Sequence, residues 1–363
     1  MSAVDCMQLA SVAEESGFST LWFAENPYQR GVLPAVVACA GVTNRIELGI
    51  GVFNPYNRHP TLMAMEIGAL DEYSGGRAIL GIGSGVPAWV ERITPFRRPL
   101  HAVRDAVSIA RGLLSGETVH YSGKMYSANG VRLEFERVRN HVPVHVAAMG
   151  ERMLVLCGEI ADGLLIGNMC PPVFTHRAKD RLREGAGDTA PDRNFEVTKY
   201  VPCAVDEDGD QARKTARNAI GKTLSAFWQA YQPAPAALAA IREGNGIEAG
   251  RFEQALAQLA KGEQGEDVLD DAFIEAYGIA GTAEECVDQI VSLGDSGVTQ
   301  LTVTVLGDAP ETGIRQLGAV LSEIRNVRAV TEFEVGLLSR GQGLDRTTTT
   351  DAVLCDRFTG AGE

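Results

Sequence analysis

The stretch 46–85, IELGIGVFNPYNRHPTLMAMEIGALDEYSGGRAILGIGSG, holds one complete strand–helix–strand unit. Ile46 to Val52 is a short apolar run bounded by turn residues, which reads as a buried strand. His59 to Tyr73 follows as a helix, and Gly75-Gly76 stand where a helix ends. Ala78 to Ile82 is a second buried strand. Two buried strands joined by a helix make a parallel pair with a helical crossover.

The same alternation runs outward in both directions. Upstream stand a helix over 3–16 closed by Gly17, a strand at Thr20 to Ala24, and the apolar helix LPAVVACAGV. Downstream the helices are His101 to Leu114, Glu151 to Ile160, Pro172 to Arg183, Ala283 to Leu293 and Glu311 to Val327. The strands between them are Val142 to Ala148, Gly163 to Ile166, Glu196 to Val205 and Gln300 to Val305. Two stretches interrupt the rhythm. Residues 116–141 carry Gly116, Gly123 and Gly130 between β-like runs and read as an inserted hairpin. Residues 207–280 are long, Ala-rich and helical, a second insertion.

The fold class is α/β, a (β/α)8 TIM barrel with insertions, whose first strand is missing before residue 3. Val330 to Leu338 (VTEFEVGLL) alternates like a strand. One expectation is that Thr331 to Leu338 fills the first-strand slot. The domain is then a barrel over 1–330, a permuted strand at 331–338 and a flexible tail over 339–363. The other expectation is a truncated barrel followed by a disordered tail. A strand hydrogen-bonded beside Thr20 to Ala24 separates the two.

The chain has 363 residues, with 33 Lys+Arg against 47 Asp+Glu and a formal charge of −14. Such a surface repels nucleic-acid phosphates and anionic lipid, so neither is an expected partner. No run approaches the roughly 18 apolar residues of a membrane span, and the start lacks the pattern of a signal peptide. The seven cysteines are scattered with no C-x-x-C, which suits reduced thiols and a cytoplasmic location. His141 and His145 have helical spacing, but Pro143 lies between them, so no metal site is expected.

In a barrel, sites gather at the carboxyl ends of the strands. Those ends carry Glu25 and Asn26; Gly51, Val52 and Asn54; Gly83, Ser84 and Gly85; Ala147, Ala148, Met149 and Gly150; and Gly167 and Asn168. Glycine and alanine let a flat ligand approach the backbone closely. The run Gly81 to Val86 fails the dinucleotide pattern, because Val86 stands where a glycine is required. Glu25 reads either as a site carboxylate or as the partner of a nearby cation such as Arg30. Lys199 reads as an exposed strand lysine.

LWFAEN (21–26), NPYNRHP (54–60) and GGRAILGIGSG (75–85) together resemble the luciferase-like family of flavin and deazaflavin oxidoreductases. Within it the resemblance is closest to the coenzyme F420-dependent methylenetetrahydromethanopterin reductases, and it runs from residue 3 to about 327. It implies a barrel with the cofactor ring over the strand ends and a small-molecule substrate. It implies a non-prolyl cis peptide at Gly51-Val52 supporting one face of the ring. Glu25 and Asn26 are then the catalytic pair. Gly83, Ser84 and Gly85 contact the ring and ribityl chain, with Asn54 nearby. Ala147 to Gly150 hold the phosphate region, and Gly167 and Asn168 complete the contact.

Several deazaflavin dehydrogenases of the family have a His where Asn26 stands, and some have an acid where Val86 stands. Asparagine cannot shuttle a proton, so a reductase passing hydride to a C=N or C=C electrophile is the expected activity. The alternatives are an FMN-dependent monooxygenase with a flavin reductase partner and a non-catalytic flavin-binding protein. The resemblance also implies a homodimer.

Overall fold

The computed structural model describes residues 1–26, 28–188, 195–327 and 334–339. The first half contains α1 (Ala3–Glu15), β1 (Thr20–Phe23), α2 (Val32–Ala40), β2 (Glu47–Phe53), α3 (Pro60–Ser74), β3 (Ala78–Ile82), α4 (Pro87–Val90) and α5 (Pro99–Leu114). A hairpin of β4 (Val119–Ser122) and β5 (Ser127–Val131) precedes β6 (Val144–Ala147), α6 (Glu151–Ile160), β7 (Gly163–Ile166), α7 (Pro172–Ala186) and β8 (Glu196–Val205). Next come α8 (Gly209–Ala230), α9 (Pro235–Arg242), α10 (Ala249–Ala260), α11 (Gly265–Val268) and α12 (Asp271–Tyr277). The described chain finishes with β9 (Ile279–Gly281), α13 (Ala283–Asp295), β10 (Gln300–Val305), α14 (Pro310–Val327) and β11 (Glu334–Ser339).

The parallel strands close into a ring in the order β11-β1-β2-β3-β6-β7-β8-β10, with β10 pairing back to β11. Strand β9 pairs with the end of β8, where Cys203 faces Ile279. Leu337 of β11 stands opposite Leu21 on one side and Val303 on the other. The C-terminal strand therefore occupies the slot beside β1, and its described part, Glu334–Ser339, takes in 334–338 of the expected strand and Ser339 of the expected tail. Residues 331–333, and 340–363 of the expected tail, lie outside the described residues.

Local sequence explains the element ends. Ser2 and Asp5 form a capping box on α1, and Thr282 and Glu285 form another on α13. Pro60 opens α3, and Gly75 closes it at φ +71°. Arg77 of the GGR run turns back to donate to the carbonyls of Ala40, Thr43 and Ile46, which ties α2 to the start of β2. The hairpin falls inside 116–141. Asp105 anchors it by accepting from the backbone N–H groups of Met125 and Tyr126 and from the Tyr121 hydroxyl.

Strands buried along their length form the core with the inward faces of the surrounding helices. A second apolar cluster, with Ile220, Phe252 and Phe273, unites the helices over 209–277. Inside the ring, β10 presents Gln300, Thr302 and Thr304 at every second position, so a polar column points inward. Its lower end is paired. Trp22 Nε1 donates to Gln300 Oε1 at 2.6 Å, and Gln300 Nε2 donates to Thr20 Oγ1 at 3.0 Å. This pair links β1 to β10 across the slot that β11 fills.

The six described cysteines are buried and form no disulfide; Cys355 lies outside the described residues. His141 lies 3.3 Å from Asp162, while His145 is buried against Trp22. Lys199 is not exposed. It is 3% accessible and donates to the Cys170 carbonyl, and burial pushes its ammonium down to about 8. Period-two alternation turns it out of the ring, toward the loop between β7 and α7, between the inward Thr198 and Tyr200.

Candidate active site

The carboxyl ends of the strands open on a cavity of about 1490 Å³. Glu25, Asn26, Gly51, Val52, Asn54, Gly83, Ser84, Gly85, Ala147, Ala148, Met149, Gly150, Gly167 and Asn168 all line it. Residues from five strand ends are thus brought to one space.

Glu25 does not pair with Arg30. Arg58 forks onto it, with Nη2 at 2.7 Å and Nε at 3.2 Å, and its Nη1 reaches Glu66 at 2.6 Å. The local sequence builds this arrangement. Asn54 Oδ1 accepts from the N–H groups of Tyr56 and Asn57 and folds 54–58 into a tight turn. The turn lays the Arg58 guanidinium over the Phe53 ring at 4.4 Å. Two carboxylates share one cation, so the cluster carries a net negative charge. Burial pushes the Glu66 carboxyl up, against the pull of Arg58. Asn54 spends its carbonyl oxygen on the turn, leaving the amide nitrogen near Gly85.

Strand β2 breaks register against β3 between Ile50 and Phe53, and the Gly51-Val52 peptide is cis. At Gly51 a Cβ would lie 2.0 Å from Tyr200 Oη, so a side chain there would collide with the cavity floor. Gly85 has φ +74°, the left-handed region that glycine occupies without strain. Val52 and Ala147 pack on the cluster of Trp22, Ile79, Leu165 and Tyr200. The result is a flat, largely main-chain surface from β2 to β6.

Gly150 caps α6 without a side-chain hydrogen bond, which leaves first-turn N–H groups available to an anion. Glu151 opposes that field less than its position suggests. Its carboxylate is drawn to Arg177 at 3.3 Å and Arg181 at 3.4 Å. Arg152 and Arg92 are the Lys/Arg side chains lining the cavity among the described residues. On the far rim, Asp308 and Glu311 supply negative charge, so an anionic group is favoured at α6.

Three polar atoms at the cavity are buried without a hydrogen-bond partner: Asn168 Oδ1, Tyr200 Oη and Thr304 Oγ1. Beside Asn168, Met169 has φ +67°, a strained value for a non-glycine residue at a strand end. Reading only the residues after each strand missed Tyr200 and Thr304, which lie within strands. Their signal was the inward alternation of β8 and β10. Trp89, Phe227 and Tyr231 were missed too. They form an edge-to-face series across the mouth at 6.1 and 5.8 Å, from α4 to the end of α8. Nothing local in the sequence pairs a four-residue helix with one that begins more than a hundred residues later.

Among the described residues, no group of three or more His, Cys, Asp or Glu could hold a metal ion. No helix among them is long and apolar enough to cross a membrane.

The chain is similar to several known proteins. A 5,10-methylenetetrahydromethanopterin reductase of Archaeoglobus fulgidus is 34% identical over 316 residues, covering 85% of this chain and 91% of that protein. The Methanolobus tindarius protein of the same name is 32% identical over 315 residues, covering 85% and 93%. Among solved structures, the coenzyme F420 dependent tetrahydromethanopterin reductase from Methanopyrus kandleri superposes with a TM-score of 0.76 at 27% identity, covering 88% and 94%. The profile of the luciferase-like monooxygenase family matches residues 2–300, and the chain belongs to that family.

Proposed function

We propose that the chain is a coenzyme F420-dependent reductase that passes a hydride from the reduced deazaflavin to a C=N or C=C electrophile. The relatives named methylenetetrahydromethanopterin reductase support this reading. The cavity fits a flat ring with an anionic tail. The main-chain surface from Gly51 to Gly85 accepts a ring face, the unpaired Asn168 Oδ1 can accept from a ring N–H, and α6 with Arg152 offers an anion site. When bound, the deazaflavin supplies the hydride.

One observation carries the choice of a reductase. After β1 the carboxylate, Glu25, is forked to Arg58, and Asn26 beside it and Val86 after β3 cannot titrate. Glu25 orients, Asn26 hydrogen-bonds without exchanging protons, and the walls exclude water. Such a site suits an electrophile already activated for direct hydride delivery. An alcohol or sugar, which must lose a proton as it is oxidised, meets there a carboxylate already occupied by Arg58.

The test is an anaerobic assay of reduced F420 oxidation with 5,10-methylenetetrahydromethanopterin and a panel of imines and activated alkenes. Turnover of a C=N or C=C substrate is expected. Oxygen-dependent turnover with FMN and a flavin reductase would replace this reading by a monooxygenase. Tight binding without turnover on any panel member would replace it by a non-catalytic flavin-binding role.

The same proposal includes a cytoplasmic homodimer. Leu62, Met65 and Tyr73 form one stripe on α3 with accessibilities of 39%, 50% and 60%, and Val37 of α2 is 42% accessible. Apolar side chains exposed in such a stripe suit a second copy of the chain. Sedimentation of wild type and Met65→Glu tests it, with dissociation expected in the variant.

A further inference from the structure

We propose that Tyr200 and Thr304 are specificity-determining residues that hold the edge of the electrophile beside the cofactor. This inference rests on the reductase reading of the cavity. Its basis is the pair of hydroxyls itself. Tyr200 is 8% accessible and Thr304 6%, both line the cavity, and neither Oη nor Oγ1 has a hydrogen-bond partner. Buried polar atoms are ordinarily paired, so unpaired ones on residues that line a cavity mark a ligand contact. Asn168 Oδ1, on the intervening side of the mouth, is in the same condition.

Position separates Thr304 from the ring surface and sets Tyr200 at its edge. In the ring of eight strands, β10 lies four strands from β3, the farthest place from the Gly83 to Gly85 turn. Tyr200 Oη stands where the floor meets the Gly51 bulge. A substrate edge held by Thr304 and Tyr200 therefore lies alongside a ring resting on that bulge, as hydride transfer needs. The wall above is aromatic, formed by Trp89, Phe227 and Tyr231.

The chemistry of this half selects its occupant. It offers hydroxyls that donate or accept, an amide oxygen that accepts, and aromatic faces. The two lining arginines are exposed, and Arg92 lies over the Tyr28 ring at 4.9 Å, away from the floor. A phosphate seated on the floor would have no buried cation to meet. A flat, uncharged nitrogen heterocycle with N–H and C=O groups on one edge satisfies both hydroxyls, while Asn168 Oδ1 stays with the ring. A saturated hydrocarbon would leave them unpaired.

The experiment uses the F420-loaded protein and compares wild type with Thr304→Val, Thr304→Ser and Tyr200→Phe. Affinity for F420 is measured by titration, and binding of 5,10-methylenetetrahydromethanopterin and 5,10-methylenetetrahydrofolate by quenching. Turnover is split into kcat and KM. Each hydroxyl removal is expected to weaken binding of the pterin probes about tenfold and raise KM similarly. Affinity for F420 should stay within about twofold, and Thr304→Ser should restore the wild-type values, as one hydrogen bond implies. Equal losses of F420 and probe binding would overturn the proposal by placing the hydroxyls on the cofactor. Unchanged probe binding in both hydroxyl-free variants would overturn it, as would failure of wild type to bind either probe. Failure of wild type to bind F420 at all would instead sink the reductase reading.

Discussion

From β2 to β6 the barrel mouth is made of main chain. Gly51, Gly83 and Gly85 expose peptide planes, and Val52 and Ala147 add only small apolar surfaces. From β7 to β10 it is made of side chains, with Asn168, Tyr200 and Thr304 presenting unpaired polar atoms. The first half offers a shape, set by the absence of side chains. The second offers directed hydrogen bonds. A ring needs a flat support, and a substrate needs a keyed edge, so the two halves divide binding between them.

The contrast breaks most easily at Gly51. A methyl there meets Tyr200 Oη at 2.0 Å, at the point where the two halves touch. Gly51→Ala should lower kcat/KM about a hundredfold by misplacing the ring, since misplacements of about 1 Å cost that much. Overpacking should also cost about 1–3 kcal/mol of stability. Kinetics and thermal unfolding check both, and unchanged values would show that the floor yields.

Below both halves, His145 is fully buried, with Nδ1 unpaired and its ring 5.5 Å from that of Trp22. Burial pushes its imidazole down to about 4 from 6.5, against a weaker pull from Asp162. Glu196 also faces it, 3.8 Å from Nε2. Between those pH values the unfolded chain binds a proton that the folded chain refuses. The stability contribution is complete above about pH 6.5 and is lost as pH falls toward 4, amounting to about 3 kcal/mol. Denaturant titrations across pH 4–7 should flatten in His145→Gln, while the affinities of the mouth at pH 7.5 stay near wild type.

Asn168 sharpens the comparison from the polar side. Asn168→Ala should weaken F420 binding about tenfold, because one ring contact is lost. The ligand-free protein should be no less stable, since an unpaired buried acceptor is removed. A thermal scan and a titration on one preparation test the pairing of these effects. The smallest effect belongs to Arg152→Gln at the rim. Affinity for F420 should fall about threefold at low ionic strength and less in salt, as expected for an exposed cation.

Much of this was legible in the sequence because barrels repeat. Short buried strands and 3.6-residue periodicity placed β3, β7, β8, α6 and β10 at their observed bounds. The glycine-rich strand ends located one face of the cavity. The C-terminal strand was legible from the alternation of Phe333, Val335 and Leu337, but its register needed the neighbouring strands. What the sequence hid was set by distant partners. Arg58 reaches Glu25 only once the turn at Asn54 has folded. Lys199 looked solvent-facing because its partner, the Cys170 carbonyl, comes from the loop after β7. Trp89 and Phe227 meet only when helices after β3 and β8 cross the mouth.

Whether the main-chain half holds a deazaflavin is decided by titrating the purified protein with F420 and with FMN under the same conditions. Saturable F420 binding is expected, with a preference over FMN of at least about a hundredfold, or about 2.7 kcal/mol. Tighter binding of FMN, or F420 binding that survives Gly51→Ala unchanged, would contradict it.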